Sequence, residues 1–225
     1  MKLAVRAILQ TLALIAAIAA MLFLPAGTLR FWQGWVFLAI VTAGTMLPLL
    51  YFLRRDPQLI ARRMQNRERS SEHKKFRPLA IPLWIGSLLL PGFDLRVGWS
   101  AGLGAVPLWL TVFSQAVIVA GYVLLFEVMK TNTFAGSTIQ VETGQGVIST
   151  GPYRVVRHPM YAALMLMLVF TSTALGTWVV LPLTLLMVPL LVNRLIHEER
   201  TLHRELAGYD EYCRRTRYRL IPGIY

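Results

Sequence analysis

A run of eighteen residues near the start of the chain, 7–24, carries no charged side chain. This length of apolar sequence is sufficient to cross the roughly 30 Å hydrocarbon core of a bilayer as one helix. A cleaved signal peptide is the alternative, because Lys2 and Arg6 form a basic start. The run is long for a signal peptide and a second apolar run follows at once, which favours an uncleaved membrane anchor.

Further apolar stretches follow at residues 31–53, 79–90, 103–128 and 160–195. The chain is 56% hydrophobic and only 15% charged, below the roughly 25% charged residues of a soluble domain. The last stretch is too long for one span, and Gly176 and Thr177 near its middle predict a tight turn. We therefore predict an all-α polytopic membrane protein with about five to six transmembrane helices and a C-terminal helical hairpin. The short, proline-bounded third stretch is expected to be tilted or partly inserted.

The basic residues are concentrated on one side of these predicted spans. The 23 Lys and Arg residues outnumber the 11 Asp and Glu residues, which gives a formal charge of +12. If the N-terminus is cytoplasmic, only Arg30 and Arg96 fall on the far side, and this bias predicts that both termini are cytoplasmic. We therefore expect the positive charge to interact with the anionic headgroups of the lipid bilayer. We do not expect a nucleic-acid partner.

Two polar segments, 129–158 and 193–225, flank the predicted hairpin and should meet at its cytoplasmic mouth. The first alternates apolar and polar residues around Gly144 and Gly146, which predicts a short extended strand and a turn. We divide the chain here, with N-terminal transmembrane helices in 1–128 and a catalytic region in 129–225. A third basic segment, at 54–78, is interpreted as a solvated, lipid-facing loop.

Pro159 predicts a helix start, the position that proline favours. The free N–H groups of a helix start suit a carboxylate or the polar edge of a ligand. His158 and Tyr161 are three residues apart and should lie on the same side. From spacing alone, a capping histidine and a tyrosine at the membrane interface are equally good interpretations.

Arg194 and Glu198 are four residues apart near the end of the last predicted helix, so they share a face. They could form an ordinary exposed ion pair. However, a charged side chain beside the apolar part of the membrane is energetically costly, which favours a functional role. His197 and His203 are six residues apart and do not share a helical face, so no metal site is expected.

Several motifs occur in a fixed order: Gly151-Pro152-Tyr153-Arg154, Arg157-His158-Pro159-x-Tyr161, Glu198-Glu199, and the ending Tyr218-Arg219-Leu220-Ile221-Pro222. Together they resemble the isoprenylcysteine carboxyl methyltransferase and phospholipid methyltransferase family of integral membrane enzymes, in its bacterial members, over about 129–222. The resemblance implies S-adenosyl-L-methionine as the methyl donor, bound in a cytoplasmic pocket. It also implies a lipidic or small hydrophobic acceptor, such as an isoprenylcysteine-like carboxylate, a phospholipid amine or a thiol. The expected location is the bacterial inner membrane.

The resemblance also implies roles for individual residues. The residues at donor-contacting positions are Gln140, Gln145, Gly146, Val147, Ile148, Tyr153, His158, Pro159, Met160, Tyr161 and Glu198. Arg194 corresponds to an arginine that handles the acceptor, and the implied catalytic set is Arg194, Glu198 and Glu199. If the acceptor is an amine, Glu199 or His197 would take up its proton.

Two other functions remain open. Membrane sterol reductases resemble this chain in their C-terminal architecture and in a Tyr-Arg-x-Ile-Pro ending, and they hold NADPH in the corresponding pocket. Arg154 and Arg157 offer guanidinium groups for a 2′-phosphate. A non-enzymatic membrane scaffold is the third possibility, but it leaves the ordered polar residues unexplained. Binding of the methyl donor, of NADPH or of neither would separate these three.

Overall fold

The computed structural model describes residues 2–64, 71–132 and 146–224, with 71–77 described as backbone only. Single 3₁₀ turns occur at Ala101–Leu103 and Gly151–Arg154. The described helices are α1 (Lys2–Ala26), α2 (Trp32–Arg55), α3 (Pro57–Met64), α4 (Ser71–Val97), α5 (Leu108–Thr131), α6 (Pro159–Ala174), α7 (Leu181–Glu205) and α8 (Tyr209–Arg215). Within these described ranges no residue forms a β-strand, which agrees with the predicted all-α fold. The predicted short strand lies mainly in 133–145, outside the described residues.

Among the described residues, five helical segments are long and apolar enough to cross a membrane: α1, α2, Pro78–Val97 of α4, α5 and α7. The protein is therefore a multi-pass integral membrane protein, as its apolar stretches predict. α6 is also apolar but has only 16 residues, which corresponds to about 24 Å of helix. It is shorter than the roughly 30 Å hydrocarbon core.

The third apolar stretch is longer than the sequence analysis predicts. Its helix runs without interruption through Pro78, Pro82 and Pro91, and 20 of its residues form a candidate span. Proline is tolerated in transmembrane helices because neighbouring helices and side chains satisfy the freed backbone groups. The prolines therefore do not bound the helix, and the expectation of a short element was wrong.

The long helices form a bundle with two ends. One, which we call the basic end, holds the N-termini of α1 and α6 and the C-termini of α2, α5 and α7. The other, which we call the opposite end, holds the connections 27–31, 98–107 and 175–180. At the opposite end the side chain of Asp94 accepts hydrogen bonds from the Ser100 N–H (2.7 Å), the Ser100 hydroxyl (2.6 Å) and the Thr177 hydroxyl. The buried carboxylate thus ties α4 to the α6–α7 connection.

The turn between α6 and α7 lies where the sequence predicts it. Gly176 has φ +73°, a conformation that glycine adopts without the steric cost that other residues meet. The Ser172 hydroxyl donates to the Thr177 carbonyl across the turn. The predicted helical hairpin and its position at Gly176 and Thr177 are confirmed.

α6 is held in place mainly by α5. The hydroxyls of Ser114 and Thr173 are 2.6 Å apart, and the Gln115 side-chain amide donates to the Ala174 carbonyl (3.2 Å). A Cβ added at Gly121 would lie 2.4 Å from Met167 Cγ, so a larger residue there would displace the Met167 side chain. Small residues and interhelical hydrogen bonds are the usual means of helix association in lipid. They fix the position of α6, whose first turn carries the candidate site.

Candidate functional site

The start of α6 is joined to the C-terminal tail by two backbone hydrogen bonds. The N–H of Arg157 donates to the Tyr218 carbonyl and the N–H of His158 to the Arg219 carbonyl, both at 2.9 Å. His158 is the N-cap of α6 and Pro159 its first helical residue, as predicted. No side chain among the described residues caps this helix. The tail therefore lies across the beginning of α6 and leaves its first-turn N–H groups available for a ligand.

Tyr161 connects α6 to α7. Its side chain is only 2% exposed, and its hydroxyl donates to Glu198 Oε2 at 2.7 Å. The Tyr161 hydroxyl oxygen in turn accepts a hydrogen bond from Arg194 Nε at 3.2 Å. Arg194 and Glu198 share a face of α7, as their spacing predicts. Phenol, carboxylate and guanidinium are thus assembled at one point between the two helices.

Glu199, the next residue of α7, points to a different set of partners. Arg219 Nε donates to its Oε2 at 2.6 Å, and Arg157 Nη1 lies 3.1 Å from its Oε1. His158 Nε2 is 3.8 Å from the same Oε1. The residue is 4% exposed, and two guanidinium groups offset the cost of burying its charge. Glu199 therefore joins the tail and the start of α6 to α7.

Three tyrosines cover this assembly from the loop and the tail. The Tyr212 hydroxyl donates to the Tyr153 carbonyl (2.7 Å), and Asn132 Nδ2 donates to the Tyr153 hydroxyl (3.0 Å). Burial raises the pKa of the Tyr153 phenol above its ordinary value, and it does the same for the pKa of Tyr209 and of Tyr212. All three phenols therefore remain neutral and able to donate hydrogen bonds at physiological pH.

The loop before α6 reaches this position through Gly151. Its φ is +56°, and a Cβ added there would lie 2.7 Å from Thr131 Oγ1 at the end of α5. Both the backbone conformation and the close approach require glycine. Gly151 thus sets the loop against α5 and places Tyr153 over the site.

The structure brings together most of the residues that the sequence predicts. Val147 packs in an apolar cluster with Leu206, Tyr209 and Tyr212, and Met160 packs with Tyr161 and Leu195. Gly146 is exposed and Ile148 half-buried in the irregular stretch before Gly151. Gln140 and Gln145 lie outside the described residues. The predicted positions that the structure places around the start of α6 are Tyr153, His158, Pro159, Met160, Tyr161, Arg194, Glu198 and Glu199.

Sequence analysis missed Arg63. The segment interpreted as a solvated loop contains α3, whose Leu59 and Ile60 are buried, and this helix directs Arg63 toward α6. Arg63 Nη2 lies 3.9 Å from Met160 Sδ, and burial lowers the pKa of its guanidinium below the ordinary value. The signal was the amphipathic pattern of 57–64, because apolar and basic residues there alternate with a helical period.

A group that could bind a metal was also not expected from the sequence. Ligand atoms of Glu199, His203 and Cys213 lie within 4.8 Å of one another, because α8 folds back toward α7. Glu199 and His203 are four residues apart and share a face of α7, but spacing gives no indication that Cys213 joins them. Arg157 and Arg219 already engage the Glu199 carboxylate, and their positive charges oppose a cation at that point.

Comparison with known proteins identifies the segment that carries this site. Residues 109–206 match the family model described as phospholipid methyltransferase. The family resemblance is thereby confirmed. The matched segment covers most of α5, the whole of α6 and α7, and the Tyr161, Arg194 and Glu198 assembly. It supports a membrane methyltransferase.

A partial similarity points to a second group of membrane enzymes. The chain is 34% identical over 91 residues to the protein named Delta(14)-sterol reductase TM7SF2, from Mus musculus. The alignment covers 39% of this chain and 22% of the reductase. The chain thus spans about a fifth of that relative, and the similarity agrees with the resemblance to sterol reductases in the sequence analysis.

Proposed function

We propose that the chain is an S-adenosylmethionine-dependent methyltransferase that acts on a lipidic or small hydrophobic acceptor. The observation that carries the proposal is the Tyr161, Glu198 and Arg194 assembly, with contacts of 2.7 and 3.2 Å, inside the segment that matches the methyltransferase family. The charge bias in the sequence supports a cytoplasmic location for the basic end and for both termini, and the resemblance to bacterial members of the family supports a bacterial inner membrane.

The polar groups at the site fit the methyl donor. Glu198 can accept hydrogen bonds from the donor's amino or hydroxyl groups, and such charge-assisted bonds are strong. The uncapped first turn of α6, at Met160 and Tyr161, can hold its carboxylate or adenine edge. The Nε–H of Arg157 is buried and has no hydrogen-bond acceptor among the described residues. A buried donor of this kind fits a polar ligand group.

The bound donor supplies a methyl group on a sulfonium: the acceptor's lone pair forms a bond to the methyl carbon as the carbon–sulfur bond breaks. The protein has to align the two molecules and exclude water. Arg194, fixed by Tyr161, is the group proposed to orient a carboxylate or phosphate of the acceptor through its planar fork of donors.

Glu199 is less suited to taking up a proton than the sequence analysis suggests. Its oxygens already contact Arg219 and Arg157, and such contacts favour the ionised carboxylate. We therefore assign Glu199 a positioning role. For an amine acceptor, His197 is the remaining candidate for the group that receives the proton.

Calorimetric titration of the purified protein with S-adenosylhomocysteine tests the proposal. We expect saturable binding that weakens roughly ten-fold or more in Glu198→Gln, because a hydrogen bond to a charged group is lost. Glu205→Gln on the same helix is the matched control, since Glu205 is exposed at the helix end, and its affinity should equal that of the wild type. An unchanged affinity in Glu198→Gln would count against the proposed donor site.

An NADPH-dependent reductase is the second candidate, and the partial identity to the sterol reductase favours it. Arg154 is exposed beside the site and offers a guanidinium for a 2′-phosphate, whereas Arg157 is engaged by Glu199. NADPH titrated in parallel separates the two candidates. Binding of NADPH alone would establish the reductase, and folded protein that binds neither molecule would indicate a scaffold.

A further inference from the structure

An apolar groove of about 610 Å³ runs along the outer face of the α2 and α5 pair. Two small residues on α2, Ala39 and Ala43, leave the space, and Tyr122 and Phe126 of α5 line the other side. The α2 residues that line it extend over about four helical turns, from Val36 to Tyr51, or about 22 Å. That length exceeds one leaflet of hydrocarbon, which is about 15 Å.

The floor of the groove is closed by direct contact between the two helices. A Cβ added at Gly44 would lie 2.3 Å from the Tyr122 ring, so the ring packs directly against the α2 backbone. Nearer the basic end, the rings of Tyr51 and Phe126 are 5.2 Å apart in an edge-to-face arrangement. The groove is therefore a long, shallow channel that faces the lipid and has no opening into the helix bundle at these points.

A second concavity, of about 450 Å³, adjoins the groove at the basic end. It is lined by Leu50, Tyr51, Arg54 and Arg55, and Tyr51 lines the groove as well. Both arginines are exposed at the last turn of α2. An apolar channel thus leads past one tyrosine to two adjacent guanidinium groups.

We propose that this face is a binding site for an anionic phospholipid. One acyl chain occupies the groove over α2 and α5, and the phosphate or acidic headgroup binds Arg54 and Arg55. Guanidinium groups bind phosphate through two parallel hydrogen bonds, and their level at the end of α2 is that of lipid headgroups. The lining residues include neither Tyr161 nor Glu198, so the inference does not rest on the proposed methyltransferase function.

A second copy of the chain is a poorer occupant of this face. Two copies in one membrane have the same orientation, and a two-fold interface here would place both pairs of Arg54 and Arg55 at one level. Like charges at close range repel each other. A single lipid supplies the opposite charge at that level and an aliphatic chain of suitable length.

Native mass spectrometry of the protein, released from nanodiscs with equal parts phosphatidylglycerol and phosphatidylcholine, tests the site. We expect the wild-type protein to retain more bound phosphatidylglycerol than phosphatidylcholine. The preference for phosphatidylglycerol over phosphatidylcholine should fall roughly 30-fold in Arg54→Gln/Arg55→Gln. Each basic residue near the surface strengthens the binding of an anionic lipid roughly five-fold, and the variant removes two. Arg214→Gln/Arg217→Gln is the matched control, because it removes two exposed charges at the same end. It should retain the preference.

A second pair of variants tests the groove itself. Ala43→Phe fills the channel at an exposed position and should reduce adducts of both lipids. Leu14→Phe enlarges an exposed residue of α1 and should leave them unchanged. Equal retention of the two lipids by the wild type, or an equal loss of preference in both double variants, would overturn the proposal. So would a wild-type dimer that Ala43→Phe converts to a monomer, because it would assign the groove to a second copy.

Discussion

Two buried carboxylates, one at each end of the molecule, have comparable burial and different partners. Asp94 at the opposite end is 5% exposed and Glu199 at the basic end is 4% exposed. Asp94 accepts hydrogen bonds from two hydroxyls and a backbone N–H. Glu199 contacts the guanidinium groups of two arginines. Both connect segments that are distant in the sequence.

The difference separates a structural connection from one that organises a site. Hydroxyl partners satisfy Asp94 without adding charge, and they hold only helix ends and connections. The arginine partners of Glu199 come from the start of α6 and from the tail, the two segments that adjoin Tyr161 and Glu198. Loss of Asp94 should therefore change stability alone, whereas loss of Glu199 should change both stability and ligand binding.

Glu199→Gln is expected to have the largest effect. It leaves two guanidinium groups close together without their carboxylate, and removal of one partner of a buried ion pair costs about 3 kcal/mol. We expect a lower thermal unfolding midpoint and loss of S-adenosylhomocysteine binding by calorimetry. Glu205→Gln should match the wild type in both measurements. A wild-type affinity for S-adenosylhomocysteine in the Glu199 variant would contradict the positioning role assigned to this residue.

Asp94→Asn should have a smaller effect, confined to stability. The amide accepts fewer hydrogen bonds than the carboxylate, and loss of charge-assisted bonds costs about 2 kcal/mol. The thermal midpoint should fall, while the affinity for S-adenosylhomocysteine stays at the wild-type value. A fall in affinity at constant stability would show that the two ends of the molecule are coupled. It would contradict the purely structural role assigned to Asp94.

Tyr161→Phe should have the smallest effect on stability and a clear effect on the site. It removes only the hydroxyl that joins Glu198 to Arg194. Glu198 and Arg194 themselves stay in place and lose only the hydroxyl that joins them, so the loss of donor binding should be limited to about 1 kcal/mol, or roughly five-fold in affinity. Tyr122→Phe on α5 is the control, because its ring lies in the lipid-facing groove, and calorimetry should find its donor affinity unchanged.

Local patterns in the sequence predicted a large part of the fold. The apolar stretches predicted the membrane helices, and Gly176 with Thr177 predicted the hairpin turn. The i,i+3 and i,i+4 spacings placed His158 beside Tyr161 and Arg194 beside Glu198, because helical geometry alone brings such residues together. The prolines of α4 misled the analysis, since proline ends helices in water far more often than in a packed membrane bundle.

The sequence analysis brought the segments 129–158 and 193–225 together, but it did not predict the individual contacts between distant residues, either in the site or at the opposite end. Arg63 meets Met160 across 97 positions and Thr177 meets Asp94 across 83. Arg219 reaches Glu199 only because the tail folds back over the start of α6. A period or a motif can indicate that such a residue is important, but it does not specify the partner, because the pairs depend on how helices pack after each has formed. The residues in the family motifs were therefore identified, whereas Arg63 and the pairing of Arg157 and Arg219 with Glu199 were not.

The pairing of 157–158 with 218–219 has a consequence for biosynthesis. The two N–H groups at the start of α6 receive their carbonyl partners from residues made about 60 positions later. At the usual 5 to 20 residues per second, this delay is about 3 to 12 s. All five membrane-crossing helices precede the tail in the chain. A nascent molecule therefore inserts its helices before it can assemble the pocket. The pocket can bind its ligand only after the C-terminal tail has been translated.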